Sequence, residues 1–192
     1  IKENLGLPKD KKIILYAPTW RDNEFYGHGR YKFNPRIDFS LLMEELKEDT
    51  VMIVKYHYLV MDQIDWTPYR GFIYTYDMSY DISLLYLVSD MLITDYSSVM
   101  FDYSILKRPM VFYCYDLEEY GNTLRGFYFD FIDEVPGPVV ETTTDLVSAI
   151  KEYNYDLYKE KYEAFSRKYN HADDGRASGK VVDLIIKSAS MQ

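Results

Sequence analysis

The chain has 192 residues, of which 47% are hydrophobic and 28% charged, and its formal net charge is −9. Such a length holds the core of one domain, and such a composition excludes a disordered polymer. The acidic balance excludes general nucleic-acid binding, which needs a basic face against phosphates, although a few local cations suffice for one diphosphate.

The opening residues, IKENLGLPKDKK, lack the apolar segment of a signal peptide. They read as the end of a helix or linker entering a strand, and without an initiator Met the expectation is a piece of a longer protein. A short strand is expected from Ile13 to Tyr16, ending at APTWR. Ile37 to Lys47 has helical spacing, with Ile37, Leu41, Leu42 and Leu46 on one face and Asp38 near the start. Val51 to Tyr56 is β-branched and reads as a buried strand, and Phe72 to Tyr76 as a third. Ile82 to Val88 carries a helical apolar stripe, Met91 to Thr94 a fourth strand, and Ser97 to Leu106 a helix stopped by Lys107, Arg108 and Pro109. Met110 to Tyr115 is the fifth strand. It contains the single cysteine, Cys114, so no disulfide framework forms and a reducing compartment fits. After Val139 the pattern turns helical: Thr142 to Asp145 caps a helix to about Tyr153, and further helices are expected from Asp156 to Tyr169 and from Gly175 to Lys187. No run reaches the ~20 apolar residues of a membrane-spanning helix.

Strands alternating with helices predict an α/β fold with a Rossmann-like, mostly parallel sheet and helices on both faces. Near-continuous apolar strands such as VMIV and MVFY fit a sheet covered on both sides. Ligands in such folds bind beyond the carboxyl ends of the strands. The residues there are Pro18-Thr19-Trp20-Arg21, Lys55-Tyr56-His57, Asp95-Tyr96-Ser97-Ser98 and Tyr115-Asp116, a plausible anion pocket on an acidic chain. In LITDYSSVMFD a strand meets a Ser-Ser pair that opens a helix, where N–H groups and the helix dipole favour anions. Ser97 and Ser98 add hydroxyl donors, and Asp102, one turn on, is placed to accept from a ribose or polyol hydroxyl; equally, one Ser is a plain N-cap and Asp102 a solvated helix residue. Lys55 and His57 alternate along a strand end and point to the same side, to hold a phosphate or simply to meet solvent. Arg21 either forks onto a phosphate or is an ordinary loop arginine. His28 lies between glycines in a loop, either exposed or part of a lid, and His171 lies between helices and is read as inert. GxGxxG, Walker and CxxC signatures are absent, and the two Asp residues of TDYSSVMFD are not at metal spacing, so no metal is expected. The 21 tyrosines fall mostly at core-like positions.

APTWR after the first strand, VKYH after the second, DISLLYLVSDMLITDYSSVMFDYSILKRPMVFYCYDLEEY, then RGFYFDF with PGP, and finally DDGRAS occur in that order. In these the chain resembles, over nearly its whole length and most specifically from Asp81 to Tyr120, the C-terminal domain of the CDP-glycerol:poly(glycerophosphate) glycerophosphotransferases of teichoic acid synthesis. The resemblance implies the C-terminal half of a GT-B fold: residues 1–192 as a single donor-binding domain, with C-terminal helices at about 143–187. It implies transfer of glycerol phosphate from CDP-glycerol to a hydroxyl of a membrane-linked polymer, with release of CMP. Trp20, Arg21, Lys55, His57, Ser97, Ser98 and Asp102 would contact the donor, and His57 is the one catalytic candidate. No cofactor or metal is implied. The implied partners are CDP-glycerol, a lipid-linked polyol-phosphate acceptor and the membrane surface, with no nucleic acid; the implied location is cytoplasmic, peripheral to the inner face of the cell membrane. A further family histidine lies in the preceding domain, and nothing in this chain supplies it. CDP-ribitol as donor, a UDP-sugar glycosyltransferase or epimerase, and a noncatalytic nucleotide-binding module remain as alternatives.

Overall fold

Period-two alternation sends the strand residues of this chain to two faces, and both are buried. The computed structural model describes residues 1–21, 23, 25–27, 30–31, 36–56, 64–77 and 79–190, with backbone alone at 25–27 and 30–31. The strands are β1 (Lys12–Tyr16), β2 (Phe25–Gly27), β3 (Arg30–Tyr31), β4 (Thr50–Val54), β5 (Ile73–Thr75), β6 (Met91–Thr94), β7 (Met110–Tyr113) and β8 (Val139–Val140). The α-helices are α1 (Phe39–Leu46), α2 (Ile82–Val88), α3 (Val99–Ser104), α4 (Leu117–Glu119), α5 (Phe131–Glu134), α6 (Thr143–Lys151), α7 (Lys159–Tyr169) and α8 (Ala177–Ala189).

Ile13, Leu15, Val51, Ile53, Leu92 and Phe112 pack with Leu85 of α2, Met100 and Tyr103 of α3, and Tyr162 and Phe165 of α7. Ile14, Tyr16, Met52, Val54, Ile93 and Val111 pack on the other face with Leu42 and Leu46 of α1 and Leu146, Val147 and Ile150 of α6. Two-sided burial is why these strands are continuously apolar. The sheet order is β5-β4-β1-β6-β7-β8, with every pairing parallel. Numbered along the chain, that is the doubly wound Rossmann order. Among the described residues no helix is long and apolar enough to cross a membrane.

Several elements differ from the sequence expectation. The second and fifth strands end earlier, at Val54 and Tyr113. α3 is shorter than Ser97 to Leu106: it is entered by i→i+3 bonds from Met100 to Ser97 and from Phe101 to Ser98, and left through Lys107 at φ 51°. β8, the β2–β3 hairpin, α4, α5 and a π-helical turn at Tyr120–Leu124 were not anticipated. β8 is admitted by Gly137, where a Cβ would stand 2.0 Å from the Met110 carbonyl oxygen.

Candidate functional site

The strand order puts the topological switch point between β1 and β6. From β1 the chain crosses to β4 on one side, while β6 is followed by β7 on the other. The loops leaving their carboxyl ends part there and open a crevice. Ala17 N–H donates to the Ile93 carbonyl at 3.0 Å, and the Thr94 hydroxyl to the Ala17 carbonyl at 2.8 Å. Thr19 N–H donates to the two Asp95 carboxylate oxygens at 2.9 and 3.1 Å. The two crevice walls are therefore bonded together at their base.

Arg21 sits behind this crevice, 4% exposed. Its Nε and Nη2 donate to the two Asp116 oxygens at 2.6 and 3.0 Å, and its Nη1 to Asp95 Oδ2 at 2.9 Å and the Thr19 carbonyl at 2.8 Å. The rings of Tyr96, Tyr115 and Tyr120 surround the guanidinium at 5.1–5.3 Å from their centroids. Burial opposes its charge, but Asp95 and Asp116 outweigh that and hold it protonated. Burial likewise pushes the Asp95 carboxyl up, against the pull of Arg21 and of Thr19. The expectation that Arg21 forks onto a donor phosphate does not match this arrangement, because its fork is closed on Asp116.

A cavity of about 630 Å³ opens in front, lined by Pro18, Thr19 and Trp20 after β1, by Tyr96, Ser97 and Ser98 after β6, and by the segment 125–129. Trp20, Ser97 and Ser98 thus meet in one place. Both serines lie between β6 and α3, and Ser98 occupies the N-cap position without a side-chain capping bond. Met100 N–H and Phe101 N–H are taken up by the Ser97 and Ser98 carbonyls, at 3.2 and 3.0 Å, where the chain enters α3. Arg125 lies over the Trp20 ring at 4.7 Å, and Tyr96 stacks on Tyr120 at 3.9 Å. The aromatic wall from Tyr120 to Phe131 was not singled out from local sequence; the density of rings in RGFYFDF was the available signal.

Lys55 and Asp102 do not line this cavity. Lys55, at the end of β4, donates through Nζ to the carbonyls of Asp77 at 2.8 Å and Tyr80 at 3.4 Å. Partial burial lowers its pKa, against the pull of Asp77. Asp102 is exposed on α3, its carboxyl pKa raised by partial desolvation and by Asp173. His57 and His28 lie outside the described residues. A larger cavity, about 890 Å³, lies at the ends of β7 and β8. Asp116, Glu118, Glu119 and Glu141 line it against Arg21 and Arg36, an unfavourable balance for an anion. Among the described residues no cluster of His, Cys, Asp and Glu could hold a metal ion.

Residues 1–187 match the CDP-Glycerol:Poly(glycerophosphate) glycerophosphotransferase family. The teichoic acid poly(glycerol phosphate) polymerase of Bacillus subtilis (strain 168) is 48% identical over 190 residues, covering 98% of this chain and 26% of that protein. The teichoic acid poly(ribitol-phosphate) polymerase of Bacillus spizizenii is 40% identical over 180 residues, covering 93% of this chain and 28% of that protein. The solved wall teichoic acid polymerase TagF superposes with a TM-score of 0.85 at 44% identity, over all of this chain and 47% of that one. The chain therefore spans about half the length of that structure, and about a quarter of the two polymerases.

Proposed function

Because the chain belongs to the CDP-glycerol:poly(glycerophosphate) glycerophosphotransferase family, we propose that it forms the donor-binding half of an enzyme transferring glycerol phosphate from CDP-glycerol to a polymer hydroxyl. The observation that carries the reading is the meeting of Trp20, Ser97 and Ser98 in one cavity at the switch point of a parallel sheet. In this reading Ser97 and Ser98 hold the pyrophosphate at the positive end of α3. By their place in the sequence Lys55, His57 and Asp102 are proposed as further donor contacts, Lys55 exchanging the carbonyls of Asp77 and Tyr80 for a phosphate oxygen. An acceptor oxygen attacks the phosphorus bearing glycerol, the bond from that phosphorus to the CMP oxygen breaks, and CMP leaves with the electron pair. The acceptor proton passes to a base, which we place in the other half of the full-length enzyme. Positioning two reactants and offsetting charge on the transferring and leaving phosphates are the protein's contributions. The acceptor is a lipid-linked polyol phosphate, which places the enzyme at the inner face of the cell membrane. Higher identity to the glycerol-phosphate than to the ribitol-phosphate polymerase favours glycerol.

The test is CMP release by the full-length enzyme with CDP-glycerol, CDP-ribitol and a UDP-sugar, each with and without a glycerol-phosphate-primed acceptor. Acceptor-dependent CMP release from CDP-glycerol at least tenfold faster than from CDP-ribitol is expected. Turnover of the UDP-sugar alone, or none of the three, would overturn the reading.

A further inference from the structure

Three loops carry the switch-point site, and one buried side chain binds them. Arg21 belongs to the loop after β1, Asp95 to the loop after β6 and Asp116 to the loop after β7. Asp95 is 2% exposed and Asp116 10%, so little water reaches the cluster. The Tyr96 hydroxyl donates to Asp116 Oδ1 at 3.1 Å. Tyr96 is thus fixed at its hydroxyl, at its stacked face and through its neighbour Asp95, and it immediately precedes Ser97. Arg21 lines the acidic cavity at the ends of β7 and β8 but not the switch-point cavity, and its Nε, Nη1 and Nη2 all donate to protein oxygens.

We infer that Arg21 is a positioning residue: with Asp95 and Asp116 it clasps the three loops and fixes the backbone of Tyr96, Ser97 and Ser98 against the donor, without touching the donor. The inference rests on the function proposed above. A buried ion cluster is no efficient source of stability, since apolar residues of similar volume do as well. What it supplies is geometry. The guanidinium fork meets Asp116 with two bonds in one plane, which a lysine ammonium cannot reproduce. Loss of about 1 Å in placement costs about 100-fold in rate when reactants must be held in line.

The experiment uses the full-length enzyme with Arg21→Lys, Asp116→Asn, the double variant and Tyr96→Phe, each with a melting curve, kcat and donor KM. Arg21→Lys and Asp116→Asn are expected to lower kcat by about 10- to 100-fold with donor KM changed less than about threefold. The double variant should fall within about threefold of the worse single, because the two groups act as one unit. Tyr96→Phe, which keeps the ring and loses one bond, should fold normally and lower kcat by about threefold. Should Arg21→Lys fail to fold, Asp116→Asn and Tyr96→Phe decide alone. A tenfold rise in donor KM for Arg21→Lys with kcat unchanged, and no effect of Asp116→Asn, would make Arg21 a donor ligand and overturn the inference. Wild-type kcat in folded Asp116→Asn and Tyr96→Phe would overturn it too. A wild-type enzyme that leaves CDP-glycerol intact would sink the functional reading first, and the clasp with it.

Discussion

Replacing Gly137 with alanine tests the edge of the sheet. The added Cβ would stand 2.0 Å from the Met110 carbonyl oxygen and 2.9 Å from its carbon, both backbone atoms of β7. Against the ~3.5 Å of an ordinary contact, the shortfall is about 1.5 Å. The backbone at Gly137 is not in the left-handed region, so the penalty is steric. Relief requires β8 to move away from β7, which stretches the bonds from Phe112 N–H to the Pro138 carbonyl and from Cys114 N–H to the Val140 carbonyl, each now 2.8 Å. Each lost bond costs about 1 kcal/mol net, and the overpacking about 1–3 kcal/mol. The sum is about 3–5 kcal/mol, or a fall in Tm of about 6–20 °C for a domain of this size. Calorimetry of Gly137→Ala beside Gly179→Ala makes the comparison. Gly179 lies in α8 with nothing within 4 Å of its Cβ position, so alanine there should be neutral or stabilise by up to about 1 kcal/mol. A Gly137→Ala protein melting within about 2 °C of wild type would refute the close approach of β8 to β7.

Asp102→Asn should raise Tm at pH 7 by about 1 °C, since partial desolvation and Asp173 disfavour the charged carboxylate in the folded chain and exposure screens the effect. A carboxyl pKa raised by folding favours the native state below the unfolded carboxyl range and loses that contribution as pH rises through the folded value, so the gain should vanish near pH 3; an equal gain at both pH values by scanning fluorimetry would remove the electrostatic cause. His57→Ala in the full-length enzyme should cut transfer by about 10²–10⁴ and leave Tm within about 2 °C; near-normal turnover in folded protein would return His57 to an ordinary strand-end side chain.

Elements whose signals are local were legible in the sequence. Ile82–Val88 and Met91–Thr94 were bounded correctly because Asp81 caps the helix through Ser83 N–H, and an apolar strand follows at once. Thr142 caps α6 as its sequence suggested, accepting from Asp145 N–H at 3.1 Å. β8 has two residues, too few for any periodicity, and it pairs only because a glycine admits a distant strand. Arg21 shows the same limit in the site. Its charge is plain in APTWR, but the carboxylates that engage it lie 74 and 95 residues further on. Whether a cation is available to a ligand is a property of tertiary pairing, and no local pattern carries it. The serines fared better because a strand-to-helix junction is itself a local feature.

Those pairings also decide how well this chain can hold a doubly charged pyrophosphate alone. Arg21 is closed on Asp95 and Asp116, and the Lys55 ammonium is turned onto the carbonyls of Asp77 and Tyr80. Arg125, the charged residue lining the switch-point cavity, lies over Trp20. The chain as a whole carries −9, a field that opposes an incoming anion. Arg125, the hydroxyls and the opening of a helix of six residues are then the attraction among the described groups. Residues 1–192 in isolation should therefore bind CDP-glycerol with a Kd of about 1 mM or weaker, near −4 kcal/mol. Affinity should hold steady or rise when salt goes from 20 to 200 mM, because screening relieves net repulsion. The full-length enzyme should bind at least about 100-fold tighter, the other half adding contacts to the same diphosphate. Titration calorimetry on both proteins, with a cooperative melt to establish folding of the isolated chain, measures the difference. Micromolar binding by the isolated chain that weakens steeply with salt would mean that cations within these residues do neutralise the donor, and that the pairings of Arg21 and Lys55 open when it binds.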